Sequence, residues 1–250
     1  APGKQADIVL LKNLEKVEIA QVYMAGIRVQ DLKLDEELNG KLSDSHPPLE
    51  NTIKRKPLTE NDFQYNLKVG TYNVIEIVKD EIITNHITAV YDGEKFDQED
   101  ILFMVNIERY GNNLTPALGL VKGIGLHKGA IGASVAHDSH NLMVVGKSIS
   151  EIVVAANALI KSGGGLCVVD GKNVTAMLEL PLAGLLSLKT GNEIYEEIKN
   201  LKVEYHKLGI TLEEPFIQMA FLALPVIPKL KLTDHGLFDV STFSYINLKV

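Results

Sequence analysis

The chain has no tryptophan, one cysteine and few aromatic residues, 6% of 250. One cysteine permits no internal disulfide, and Cys167 lies in Gly-Leu-Cys-Val-Val-Asp170, which reads as a buried strand. With neither a base nor a cation beside it to lower its pKa, it is expected to be a structural thiol. A reducing, cytoplasmic setting is the matching expectation. No run approaches the roughly 20 apolar residues that a membrane span needs. The opening Ala1-Pro-Gly-Lys4 has the shape of neither a secretory signal nor a transit peptide. Positive charge is scarce as well. A net charge of −7 argues against nucleic acid or an anionic membrane as the main partner. The basic triplet Lys54-Arg55-Lys56 reads as a solvated loop.

Familiar catalytic signatures are also missing. Gly123-x-Gly125 meets Lys128 where a dinucleotide fingerprint needs glycine, and no Gly-Lys-Ser/Thr occurs. Gly132-Ala-Ser-Val-Ala136 fails the nucleophile elbow at its last position. There is no His-x-His, Cys-x-x-Cys or His-Glu-x-x-His, and the zinc signature of cytidine deaminases is absent.

What is present is an ordinary globular composition, 46% hydrophobic and 23% charged, long enough to bury a sizeable core. Short strands are expected at Asp7–Leu11, Lys16–Ala20, Gln21–Met24 and Ile27–Val29, too few to enclose a core alone. The polar stretch from Glu36 to Pro57, with Asn39-Gly40 and Pro47-Pro48, reads as a linker. Beyond it the pattern is mixed α/β (α+β). Strands are expected at Tyr72–Val78, Ile82–Tyr91, Ile101–Ile107, Ala130–Val135, Leu142–Val145 and Leu166–Val169. One helix opens at Ser148-Ile-Ser-Glu151, a capping-box spacing, and stops at Gly163-Gly-Gly165. A second starts near Thr190-Gly-Asn-Glu193 and stripes Ile194, Ile198, Leu201, Tyr205 and Leu208 along one side for core packing. Phe216–Leu224 and Pro225-Val-Ile-Pro228 read as core plus a rigid turn, and Lys231-Leu-Thr-Asp-His-Gly236 as a loop where Thr233 or Asp234 caps or binds.

The densest chemistry follows a glycine run, Gly119, Gly123, Gly125, Gly129 and Gly132, that suits tight bends and close backbone approach. His137-Asp-Ser-His-Asn141 comes next, consecutive groups able to donate, accept or ligate, and then apolar Leu142–Val145. On a helix, His137 and His140 would share a face and could supply two metal ligands; on a strand they would oppose. The remaining histidines (His46, His86, His127, His206, His235) are scattered, so no metal site is expected within the chain. A hydrogen-bond network that only braces the loop is the alternative to a catalytic role.

Several blocks resemble the bacterial and archaeal adenine deaminases. They are Gly119-Leu-Val-Lys-Gly123, Ala136-His-Asp-Ser-His-Asn141, Val144-Val-Gly146, Leu180-Pro-Leu-Ala-Gly-Leu-Leu-Ser187, Phe221-Leu-Ala-Leu-Pro-Val-Ile-Pro228 with Lys231-Leu-Thr-Asp234, and Gly236-Leu-Phe-Asp-Val240. They stand in the order of that family's C-terminal domain, over residues 58–250. Ala1-Pro-Gly-Lys-Gln-Ala-Asp-Ile-Val-Leu10 is similar to the segment by which amidohydrolase-superfamily chains leave their barrel for a small β-sandwich. Tyr110, in Glu108-Arg-Tyr-Gly111, departs from the histidine the resemblance leads one to expect.

The resemblance implies a β-sandwich remnant at 1–35, a linker at 36–57 and an adenine deaminase C-terminal domain at 58–250, with the metal-binding barrel absent. It implies hydrolysis of adenine to hypoxanthine and ammonia by water activated on a divalent metal pair, manganese or iron. The metal ligands would belong to the barrel, an N-terminal partner domain, leaving this chain inactive alone; the intact enzyme is expected to be a homo-oligomer. Residue chemistry then makes His137, Asp138 and His140 candidate catalytic groups and Ser139 and Asn141 candidate substrate contacts. The rival readings are a structural or oligomerisation domain without catalytic role, and an independent metal-binding hydrolase.

Overall fold

The computed structural model describes residues 2–32, 49–63 and 66–250. The chain divides into two units, Ala1–Pro47 and Pro48–Val250. The first is an antiparallel sheet of β1 (Ile8–Asn13), β2 (Glu18–Met24) and β3 (Ile27–Arg28). The two short strands expected at Lys16–Ala20 and Gln21–Met24 run together as β2. The Asp7 carboxylate accepts the Ala25 N–H at 2.7 Å and fixes the turn into β3. No described residue of this unit is buried. Ile8, Val9, Leu10, Ile19 and Ile27 remain 45–57% exposed, so the sheet has no core of its own.

Of the expected linker, residues 36–48 lie outside the described residues. Its last part is packed rather than free. Ile53 is buried, the Lys54 N–H donates to the Arg109 carbonyl at 2.7 Å, and the Leu58 N–H and carbonyl both pair with the Asn157 amide at 2.8 Å. This pairing turns Arg55 inward, where it is 7% exposed and donates to the Leu114 carbonyl at 2.6 Å, so the basic triplet is not a solvated loop throughout.

The second unit is built on an eight-stranded mixed sheet. Its strands are β4 (Gly70–Ile77), β5 (Thr84–Tyr91), β6 (Ile101–Ile107), β7 (Ala117–Lys122), β8 (Ala130–Ala133), β9 (Leu142–Gly146), β10 (Gly165–Asp170) and β11 (Asn173–Glu179). The spatial order is β11-β10-β8-β9-β6-β7-β4-β5, antiparallel except where β4 meets β7. Every expected strand of this unit is found, and within this sheet β7 and β11 are additional. The fold class is thus mixed α/β, and no closed barrel is found among the described residues.

The central strands are apolar on both faces because both faces are covered. On one face Ala130, Leu142, Val144, Cys167 and Val169 pack with Ile152, Ala155, Ala156 and Leu159 of α1 (Ile149–Ser162). On the other, Ile131, Met143, Val145 and Val168 meet Leu201, Tyr205 and Leu208, from α2 (Gly191–Lys207) and its C-cap, and Met219 of α3 (Pro215–Ala220). Two glycines permit this closeness. A Cβ on Gly132 would lie 3.1 Å from both Cys167 Sγ and Leu159 Cδ1, and one on Gly129 would lie 2.2 Å from the Val169 carbonyl oxygen.

Helix starts follow the sequence closely. Thr190 and Glu193 form a reciprocal capping box, as expected. Ser148 caps α1, but Glu151 accepts the Ser148 hydroxyl at 2.7 Å and the Gly129 N–H at 3.0 Å instead of closing a box. Along α2, Leu201 and Tyr205 are buried while Ile198 is 44% exposed, so the core-facing stripe is shorter than its period suggests. The Lys231–Gly236 stretch, read as a loop, is the heart of a hairpin. It comprises β12 (Leu230–Thr233) and β13 (Gly236–Asp239), extended by β14 (Ser244–Ile246). Its apolar Leu230, Leu232 and Leu237 join the core, and the Asn106 amide donates to the Leu232 carbonyl at 2.9 Å.

Candidate functional site

Register places the site. Ile107 at the end of β6 stands opposite Leu142 at the start of β9, and Ala133 at the end of β8 stands opposite Met143. The segment after β6 and the β8–β9 connection therefore leave the sheet at the same end. Ala133 is also opposite Leu166, and Gly165 opposite Glu179, which brings the residues after β11 to that end too. Ser134, fully buried, ties these strands together: its hydroxyl donates to the Gly184 carbonyl at 2.6 Å and accepts the Gly165 N–H at 2.7 Å.

His137–Asn141 is neither helix nor strand but a loop held by its backbone. The His137 N–H donates to the Ala220 carbonyl at 2.9 Å, and the His140 N–H to the Ala136 carbonyl at 2.6 Å. The Tyr110 hydroxyl donates to the Ser139 carbonyl, and Arg109 Nη1 to the His140 carbonyl at 3.1 Å. The two imidazoles sit edge to face with centroids 5.5 Å apart, and His137 lies 5.1 Å from the Phe221 ring. Burial, with His137 and Arg109 as neighbours, pushes the His140 pKa below its ordinary value, against the opposing pull of Asp138. The side chain of His140 is therefore mostly neutral at pH 7.

Asp138 and Ser139 are exposed and line a concavity of about 300 Å³. Its other walls include Ala223–Val226, Thr233, Asp234 and Tyr245. The fold thus brings the polar loop and the Thr233-Asp234 turn together from distant parts of the sequence. Asn141 does not line the concavity: it is 1% exposed, drawn in by the start of β9, and its Oδ1 has no partner among the described residues. Among the described residues no three His, Cys, Asp or Glu side chains gather as a metal-holding set. The side chains here do not make a seat for the manganese or iron pair that the resemblance implies. His206 and His86 are engaged elsewhere, with the Ile210 carbonyl and the Asn73 amide oxygen, each at 2.7 Å, and His46 lies outside the described residues.

Comparison with known proteins places this arrangement. A family model described as the adenine deaminase C-terminal domain matches residues 81–244. The chain belongs to the adenine deaminase family. All of it aligns with proteins named adenine deaminase: 58% identical in Bdellovibrio bacteriovorus, 48% in Shewanella halifaxensis and 47% in Shigella sonnei. It spans 43% of the length of each of these relatives.

Within this adenine deaminase domain, sequence reasoning missed Arg109 as a member of the site. Arg109 is 3% exposed and, besides His140, donates to Thr52 Oγ1 at 2.5 Å and the Ala183 carbonyl at 2.7 Å. Its signal was local: Glu108-Arg109 comes at the end of a central strand, just beyond its wholly apolar Ile101–Val105 run, where an adjacent pair of charges is expensive unless satisfied. Glu108 meets that requirement by accepting the backbone N–H groups of Tyr110 and, at 3.0 Å, Asn113.

Proposed function

We propose that this chain is the C-terminal part of a metal-dependent adenine deaminase that hydrolyses adenine to hypoxanthine and ammonia. Its division would be a sandwich remnant at 1–35, a linker, and the C-terminal domain from 58. In this reading a manganese or iron pair held outside the chain supplies the activated water, and these residues supply walls and polar contacts. Homologues named adenine deaminase support the activity class. The observation that carries the local role is the concavity where Asp138 and Ser139 face Thr233 and Asp234. Ser139 contacts the purine and Asp138 meets it as an acid or base, with His137 and His140 behind them as proton carriers; Asn141 stays on the inner side and braces the loop. The exposed apolar residues of the first unit support further strands, from outside this chain, completing a sandwich over it. A cytoplasmic, homo-oligomeric enzyme is part of the same proposal.

Hydrogen exchange on the intact polypeptide tests this reading. With adenine or hypoxanthine bound, amides in 137–141 and 223–226 are expected to exchange more slowly. Protection confined to segments outside this chain would contradict the enclosing role.

A second reading has its own observation. Tyr195, Ile198 and Val203 of α2 are 60%, 44% and 52% exposed, and nearby in sequence Leu186 and Leu188 are 62% and 67% exposed. A subunit interface would use such a surface. Under that reading Ile198→Asp lowers the mass in light scattering while Asp138→Asn leaves turnover intact.

A further inference from the structure

The buried guanidinium of Arg109 has no carboxylate within ion-pair range among the described residues, which is unusual for a side chain that is 3% exposed. Its acceptors are all neutral oxygens: Thr52 Oγ1, the Ala183 carbonyl and the His140 carbonyl. They belong to segments far apart in sequence that meet at one end of the sheet. Its seat is kept open by Gly184, where a Cβ would lie 2.7 Å from Arg109 Nη1. The neighbouring Tyr110 takes the Ser139 carbonyl, so consecutive carbonyls of the polar loop are held by consecutive side chains from the end of β6.

We propose that Arg109 is a positioning residue: its fork holds the 137–141 loop against the concavity and places a fixed cation beside His140. This rests on the function proposed above. The ionisable groups that face His140 are His137 and Asp138 from its own loop and Arg109 from the end of β6. Of these, Arg109 is the one permanent cation. An uncompensated cation beside an imidazole disfavours its protonation, and the fork fixes where that imidazole stands. Arg109 does this without lining the concavity.

The decisive experiment titrates the His140 imidazole by NMR in the 250-residue chain, and measures kcat and KM for adenine in the intact polypeptide. Arg109→Met is expected to raise the His140 midpoint. Arg109→Lys keeps the charge and loses the fork, so its midpoint should stay near wild type while kcat falls about tenfold or more with KM little changed. A folded Arg109→Met chain with an unmoved midpoint overturns the charge role. Wild-type kcat in Arg109→Lys overturns the pinning role, and remains decisive if Arg109→Met does not fold. If the intact polypeptide does not deaminate adenine, the parent function fails, and the titration still decides what Arg109 does to His140.

Discussion

Asp138→Asn in the intact polypeptide is expected to lower kcat for adenine by about 100-fold or more, the usual cost of removing a positioned acid or base. The carboxylate is exposed on the concavity and makes no hydrogen bond or ion pair among the described residues. The substitution keeps its size, so folding should be unaffected and KM should move much less than kcat. His137→Ala should also slow turnover, since it removes the ring packed between His140 and Phe221. Steady-state kinetics with circular dichroism as the control checks both. Near-normal kcat in Asp138→Asn would leave the loop as a brace and transfer the argument to the interface reading.

The second large effect concerns stability. Lys231 is fully buried on β12, donates to the Ile82 carbonyl at 3.1 Å, and burial lowers its pKa to about 8. The unfolded chain holds this proton up to the ordinary lysine value of about 10.4, whereas the folded chain gives it up near pH 8. Between those limits the unfolded state binds more protons, so stability rises with pH. Below about 8 the whole penalty of burying the ammonium is present, about 3 kcal/mol. Cys167 works the other way: burial pushes its thiol up to about 12, so its contribution is complete below about 9 and is lost as pH climbs toward 12. Comparison with Lys231→Met cancels the thiol. Urea unfolding of the 250-residue chain should show wild type gaining about 3 kcal/mol on Lys231→Met between pH 8 and 10.5. Parallel stability curves would show that the buried amine is not under that strain.

These effects mark where the sequence was legible. Ile101–Ile107 is recovered residue for residue because a strand covered on both faces is written as a nearly unbroken apolar run, interrupted here by Asn106 alone. The Thr190–Glu193 box fixes the start of α2 through contacts only three residues apart. The hairpin strand β12 escaped notice because Lys231 and Thr233 look like loop residues. The strand is held against β5 and β6, whose Thr84 and Asn106 donate to the Leu230 and Leu232 carbonyls, and Lys231 is buried there. Among site residues, the His137–Asn141 cluster was visible as consecutive polar chemistry. Its partners were not, because Thr52 and Ala183 lie 57 and 74 residues from Arg109 and only the sheet register unites them.

The claim beneath all of this is that water activation belongs to sequence outside these 250 residues. Adenine consumption and hypoxanthine formation should be followed with manganese or ferrous iron supplied, for the purified chain and for the intact polypeptide. Turnover is expected from the intact polypeptide alone, with the chain indistinguishable from buffer. Turnover by the purified chain at about 1 s⁻¹ or faster, an ordinary enzyme rate, would contradict it.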